Sequence, residues 1–172
     1  MRGFLALAFA LVACGCAPAQ QQPAWCSAEV VRQDAEAMIA AVTRATYAED
    51  IEAYMAAMPD ELRIDDTSGE VVDRDQWRAD VLRDWAVITE TLALEQSIES
   101  ITMNGCESAE LIVNQRWERM MMRPNGVEGT DRILTTQRHR ETWRHTDRGW
   151  QGGEVEELGG DVYVNGEYYA PN

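Results

Sequence analysis

From Leu92 to about Leu158 the chain shows no helical recurrence of apolar residues; four long strand-like runs take its place. They are Leu92–Met103, Ala109–Met122, Arg132–His145 and Trp150–Leu158, with turn residues at Pro124-Asn125-Gly126 and Asp147-Arg148-Gly149. Consecutive strands joined by turns this short pair antiparallel, and one face of the resulting sheet has to be covered. The cover must come from the residues before them.

Those residues read as helices. Ser27 offers an N-cap and Glu29 a favourable charge, after which Val31, Ala35, Met38, Val42 and Ala45 repeat along one face to about Ala48. A short second helix carries Ile51, Tyr54, Met55 and Met58 on one side and stops at Pro59. Leu62–Thr67 alternates as a strand and turns at Ser68-Gly69 into Glu70-Val71-Val72. Asp73 with Gln76 predicts a capping box and Val72 with Trp77 a hydrophobic staple. The third helix they open has Trp77, Val81, Leu82, Trp85 and Ile88 as its inward face. A closing pair, Val162–Val164 and Glu167–Tyr169, flanks Asn165-Gly166, a strong hairpin signal. The expected class is α+β.

Residues two apart share a face of a sheet. In Arg132–His145, the set Arg132, Leu134, Thr136, Arg138, Arg140, Thr142 and Arg144 is a solvated face. Ile133, Thr135, Gln137, His139, Glu141, Trp143 and His145 must look inward, yet the middle of that set is polar. Buried polar groups cost stability unless paired, so a wet pocket accounts for Gln137, His139 and Glu141 better than a solid core. On the preceding strand Leu111, Val113, Gln115, Trp117 and Met121 form the more apolar set, and Leu62, Ile64 and Asp66 the inward set of the first strand. The candidate pocket is edged by Asp66, Gln115, Trp117, Gln137, His139, Glu141 and Trp143, with Tyr47 or Tyr54 from the helices. Flat aromatic walls with a few oriented polar groups suit a mid-sized organic ligand. Plainer readings stand beside this one: the tryptophans as core, His139 and Glu141 as a pair on an open face, and Asp66 bonded to its own turn. His139 and His145 are too far apart along their face to share a metal, and neither metal nor cofactor is called for.

Against 30 acidic residues stand 15 basic ones, every one arginine, for a formal charge of −15. Phosphate contacts dominate nucleic-acid affinity, so such a surface argues against a nucleic-acid partner. Met1-Arg2 and the apolar run Gly3–Ala13 have the length and flanks of a signal peptide, too short to span a bilayer. Leu11-Val12-Ala13-Cys14 resembles the lipobox of bacterial lipoproteins. That resemblance implies removal of residues 1–13, a lipid anchor at Cys14 and a membrane-bound protein facing the periplasm, with Gly15 favouring the outer membrane. Cleavage after Ala17-Pro18-Ala19, leaving a soluble periplasmic or secreted protein, is the alternative. Residues 14–26 then hold the lipidated cysteine and a Pro- and Gln-rich tether, and residues 27–172 the folded domain. In an oxidising compartment Cys26 and Cys106 read as a disulfide; two unrelated thiols are the alternative.

The order of two helices, a strand pair, a third helix and long antiparallel strands resembles the nuclear transport factor 2-like superfamily, in particular its SnoaL-like members. The likeness runs over about Ala28–Leu158. It is carried locally by Ala48-Glu49-Asp50-Ile51-Glu52-Ala53-Tyr54 between the helices and by Ser68-Gly69 ahead of the helix at Asp73. Ile98 and Ile101 followed by Gly105 and Ala109, and Thr142-Trp143 followed by Gly149-Trp150, add to it. The resemblance implies a cone, a strongly bent antiparallel sheet wrapped around the long first helix, with a pocket at its wide end. It implies three functional readings. One is a small organic ligand bound without catalysis. Another is an isomerase- or dehydratase-like enzyme with Asp66 as base, His139 as its partner and Tyr47 as donor, which lacks the second in-pocket acid of that pattern. The last is a homodimer through the exposed sheet face.

Overall fold

A computed structural model describes residues 22–170; the leader and Cys14 lie outside them. Helix α1 (Ala28–Ala48) starts where Ser27 Oγ accepts the Val30 N–H at 3.3 Å. It ends at Glu49, held left-handed at φ 50°, and Asp50 at once caps α2 (Ile51–Ala57) by accepting the Ala53 N–H at 3.0 Å. Strands β1 (Arg63–Asp65) and β2 (Val71–Asp73) pair antiparallel, and Asp73 then caps α3 (Arg74–Trp85) through the Gln76 N–H at 2.9 Å. Only half of the expected capping box forms. The Gln76 amide donates forward to Asp80 at 2.9 Å, not back to the cap. On α3, Val81 and Trp85 are buried, but Leu82 is exposed and Ile88 already belongs to the next strand.

Four long strands follow, β3 (Ile88–Asn104), β4 (Ser108–Met122), β5 (Thr130–Thr146) and β6 (Gly149–Val164), and then the short β7 (Glu167–Tyr169). The sheet order is β2-β1-β6-β5-β4-β3, with β7 beside the last residues of β6. Neighbours are antiparallel except β1, which lies parallel to β6 with Arg63–Asp65 against Glu154–Glu156. The sheet is therefore mixed, and it stays open. Strand β6 runs on past Leu158, where the sequence pattern breaks. Gly159 takes φ 132°, a region closed to L side chains, and the ladder to β5 slips between Arg138 and His139, so the strand bends there instead of ending. At Gly160 the chains lie so close that a Cβ would collide with the Thr136 carbonyl oxygen. Asn165 and Gly166 both have positive φ, as a two-residue hairpin turn with the right twist requires.

The concave face packs on the helices in two clusters. Val31 and Ala35 of α1 meet Ala109, Leu111, Val113, Trp143 and Trp150 at one end. At the other, Val42 and Ala45 meet Tyr54, Met55, Val81, Trp85 and Ile88. Packing at the first end begins before α1. Trp25 stacks on His145 with centroids 3.9 Å apart, and its carbonyl accepts the Trp150 indole N–H at 2.9 Å. Cys26 is disulfide-bonded to Cys106 of the β3–β4 turn, with Cα atoms 5.0 Å apart. No helix among the described residues is long and apolar enough to cross a membrane.

Candidate functional site

Between the second cluster and the sheet lies a cavity of about 340 Å³. Met38, Val42 and Thr46 of α1, Tyr54 of α2, and the α3 stripe Trp77, Asp80, Val81, Asp84 and Trp85 cover it, and β3 to β6 form its floor. Of the residues expected at a pocket, Tyr54, Gln115, Trp117, Gln137, His139 and Glu141 line it.

Three expected residues do not. Asp66 lies past the end of β1, where the chain turns away from the sheet. Its carboxylate accepts from the Ser68 hydroxyl at 2.7 Å and from the Ser68 and Glu70 N–H groups at 2.9 and 2.8 Å. The Ser68 bond, with backbone donors behind it, holds its carboxyl below the usual range, which suits a turn staple and not a base. Tyr47 points outward, 52% exposed, its hydroxyl accepting the Leu94 N–H at 3.1 Å; its neighbour Thr46 takes the inward position. Trp143 is 1% exposed and packs in the first cluster, beside the cavity at the other end of the concave face.

The floor is organised by two hydrogen-bonded sets. A side-chain row crosses four strands. Gln96 donates to Gln115 at 2.7 Å, Gln115 to Gln137 at 3.1 Å, and Gln137 to Glu157 at 3.3 Å. All three amides donate in one direction, so their dipoles add toward the Glu157 carboxylate. Beside the row, His139 Nε2 lies 3.0 Å from one oxygen of the buried Glu141, whose other oxygen accepts the Trp143 indole N–H at 2.6 Å. A carboxylate held by Trp143 on one side accepts from His139 on the other, which puts the imidazole proton on Nε2 and leaves Nδ1 as the basic nitrogen. The arrangement is an imidazole oriented by a buried carboxylate.

Other wall residues were not singled out in the sequence. Gln96 pairs in register with Gln115, and Arg119 sits two residues beyond Trp117 on the same face. Asp80 and Asp84 fall on the stripe of Trp77, Val81 and Trp85 at spacings of three and four, a pattern visible before any coordinates. Glu157 reaches the floor only because the ladder slips between Thr142 and Trp143, where Gly153 is an extra residue that shifts the alternation counted from Trp150, and parity counting does not foresee that. Burial raises the Asp84 carboxyl above its ordinary range, with Arg83 and Arg119 opposing in part. Burial also pushes the Tyr54 hydroxyl up to about 12, the nearby Trp77 indole offsetting a little, although that N–H reaches no acceptor in good geometry among the described residues.

On the convex face, Arg138 pairs with Glu99 at 2.9 Å, Arg144 with Glu154 at 2.9 Å, and Arg140 with Glu110 and Glu156. The Arg138 and Asn114 donors hold Glu99 down to about 2.

No family model and no curated protein matches the chain. Solved structures do. One is a candidate scytalone dehydratase from Novosphingobium aromaticivorans, at TM-score 0.64 and 12% identity, over 83% of this chain and 91% of that one. A conserved protein from Planctomyces limnophilus matches at TM-score 0.62 and 12% identity, over 79% and 98%. A nuclear transport factor 2-like protein from Cytophaga hutchinsonii matches at TM-score 0.51 and 19% identity, over 73% and 95%. The domain therefore has the nuclear transport factor 2-like fold, with three helices set against a bent, open sheet.

Proposed function

We propose that this domain binds a small organic ligand in the cavity between α1, α3 and the sheet. One observation carries the reading. The row Gln96-Gln115-Gln137-Glu157 stands on the concave face, inside a hollow of about 340 Å³, where a domain built only to be stable would place aliphatic side chains. The test is native mass spectrometry of the full chain purified from its own membranes. A bound small molecule that is lost on Gln137→Leu supports the reading; an empty protein, unshifted in Tm by a metabolite library, refutes it.

A second reading is favoured by the His139–Glu141 pair, namely proton transfer on that ligand by an isomerase- or dehydratase-like reaction. Its base is His139 and its orienting acid Glu141, in place of Asp66 and Tyr47. His139→Gln would then abolish turnover while leaving binding within about threefold; unchanged turnover would dismiss it.

The leader Gly3–Ala13 and the cysteine at position 14 support export and lipid anchoring, and the Cys26–Cys106 bond fits an oxidising compartment. An intact-mass measurement showing an acylated N-terminal Cys14 would establish this; a mature start at Gln20 would overturn it.

A further inference from the structure

Arginines of this sheet are partnered in inverse order of what burial demands. The solvent-facing Arg116, Arg132, Arg138, Arg140 and Arg144 each hold a carboxylate. Arg119 is only 9% exposed and lines the cavity, and no carboxylate of the described residues lies within 4.0 Å of it. A buried guanidinium without a counter-ion is among the least favourable groups a fold can carry. Burial accordingly lowers its pKa, with Asp84 offsetting only in part.

The group is nonetheless held in place. Its Cζ stacks 4.1 Å from the Trp117 ring centroid, and Nη1 donates to Thr135 Oγ1 at 3.0 Å and to the Trp117 carbonyl at 3.5 Å. These contacts use one end of the guanidinium. Nε has no acceptor, and no hydrogen bond among the described residues uses Nη2. Nε is enclosed as well as unpaired, which leaves Nη2 as the donor a ligand carboxylate can reach. Cavity acids that could have filled it are otherwise engaged. His139 and Trp143 hold Glu141, Gln137 reaches Glu157, and Arg83 and Gln76 hold Asp80. Asp84 acts from beyond 4.0 Å, and its own burial favours the neutral acid, so it is a weak counter-ion.

We propose that Arg119 is the anchor for a carboxylate on the ligand of this cavity, gripped through Nη2 while the ligand's body lies against the aromatic wall. The inference rests on the cavity being a ligand site and adds the ligand's charge and its orientation. The ligand class is a small organic acid with an apolar or aromatic body.

Isothermal titration of the full chain with three matched probes tests it: 2-naphthoate, the neutral 2-naphthylmethanol and the cationic 2-naphthylmethylammonium. The expected result is that the carboxylate binds at least about tenfold tighter than either analogue. Arg119→Gln should erase that preference without weakening the neutral probe, and Arg119→Lys should keep part of it. Equal or tighter binding of the alcohol or the ammonium overturns the carboxylate anchor and leaves the ligand site standing. Binding of none of the three overturns both. Should Arg119→Gln fail to fold, phenylglyoxal modification of the unmutated protein decides the matter. Protection of Arg119 by 2-naphthoate but not by 2-naphthylmethanol supports the anchor, and protection by neither refutes it.

Discussion

The two ends of the concave face are built on the same strands and the same helix, yet one is solid and the other hollow. At the solid end α1 offers Val31 and Ala35 to Leu111, Val113 and Trp143; three turns later it offers Val42 and Thr46 to Gln115, Trp117 and Gln137. A bulge on β6 at Gly153, opposite Thr142 and Trp143, marks the change in the backbone. On β4 it falls between Val113 and Gln115, and on β5 between Trp143 and His139, with Glu141 buried at the seam and bonded to both sides. The difference shows how a domain of this fold divides its tasks. Stability is concentrated where packing is complete, so that the other end can hold polar groups that add little to it.

The contrast can be broken or sharpened by four measurements. Trp143→Ala at the solid end should lower unfolding free energy by about 3–5 kcal/mol in urea melts; a loss as small as that of a surface substitution would deny the solid end its role. Replacing Cys26 and Cys106 together by serine should remove about 2–4 kcal/mol, since the bond closes a separation of 80 residues, and should leave ligand affinity at the other end unchanged. The third concerns Tyr54, whose hydroxyl stays protonated in the fold up to about 12 against 10.0 in the open chain. Because the folded pKa is the higher, its contribution is complete below pH 10.0 and is lost as pH rises toward about 12, roughly 2–3 kcal/mol in all. Urea midpoints followed across that range should fall for the parent protein and stay level in this component for Tyr54→Phe. The smallest effect is expected from Gln137→Leu, within about 1 kcal/mol, because the amide it removes bonds neighbours that can turn to cavity water. A large destabilisation would mean that the amide row is structural and the hollow incidental.

Much of this architecture was legible in the sequence because it rests on local rules. Ser27 and Asp73 cap the helices they were expected to cap, and Asn165-Gly166 turns the closing hairpin. Alternation along Arg132–His145 put Gln137, His139 and Glu141 on the inward face, and all three line the cavity. Misses occurred where one local rule gave way to another. Counting by twos from Leu62 carries on to Asp66, but the strand stops at Asp65 because the Asp66 carboxylate serves its own turn. Tyr47 is one helical position from Thr46, about a hundred degrees of rotation, and that is enough to move its hydroxyl from the hollow to the sheet edge. Strand β6 was expected to end at Leu158, since two glycines in succession read as a break until a neighbouring chain is known to need the room. Arg119 is not legible in the pattern, because a charge in an apolar series reads as solvent-facing.

The position of Trp25 has a consequence for how the molecule is presented. Trp25 is clamped against His145 and Trp150 beside the disulfide, at the end where α1 begins, and the hollow lies along the later turns of that helix. Residues 22–24 thus join the domain at the sealed pole, away from the hollow. Were the chain anchored at Cys14 as proposed, the sealed pole would be the nearer to that surface and the hollow would stand off from it.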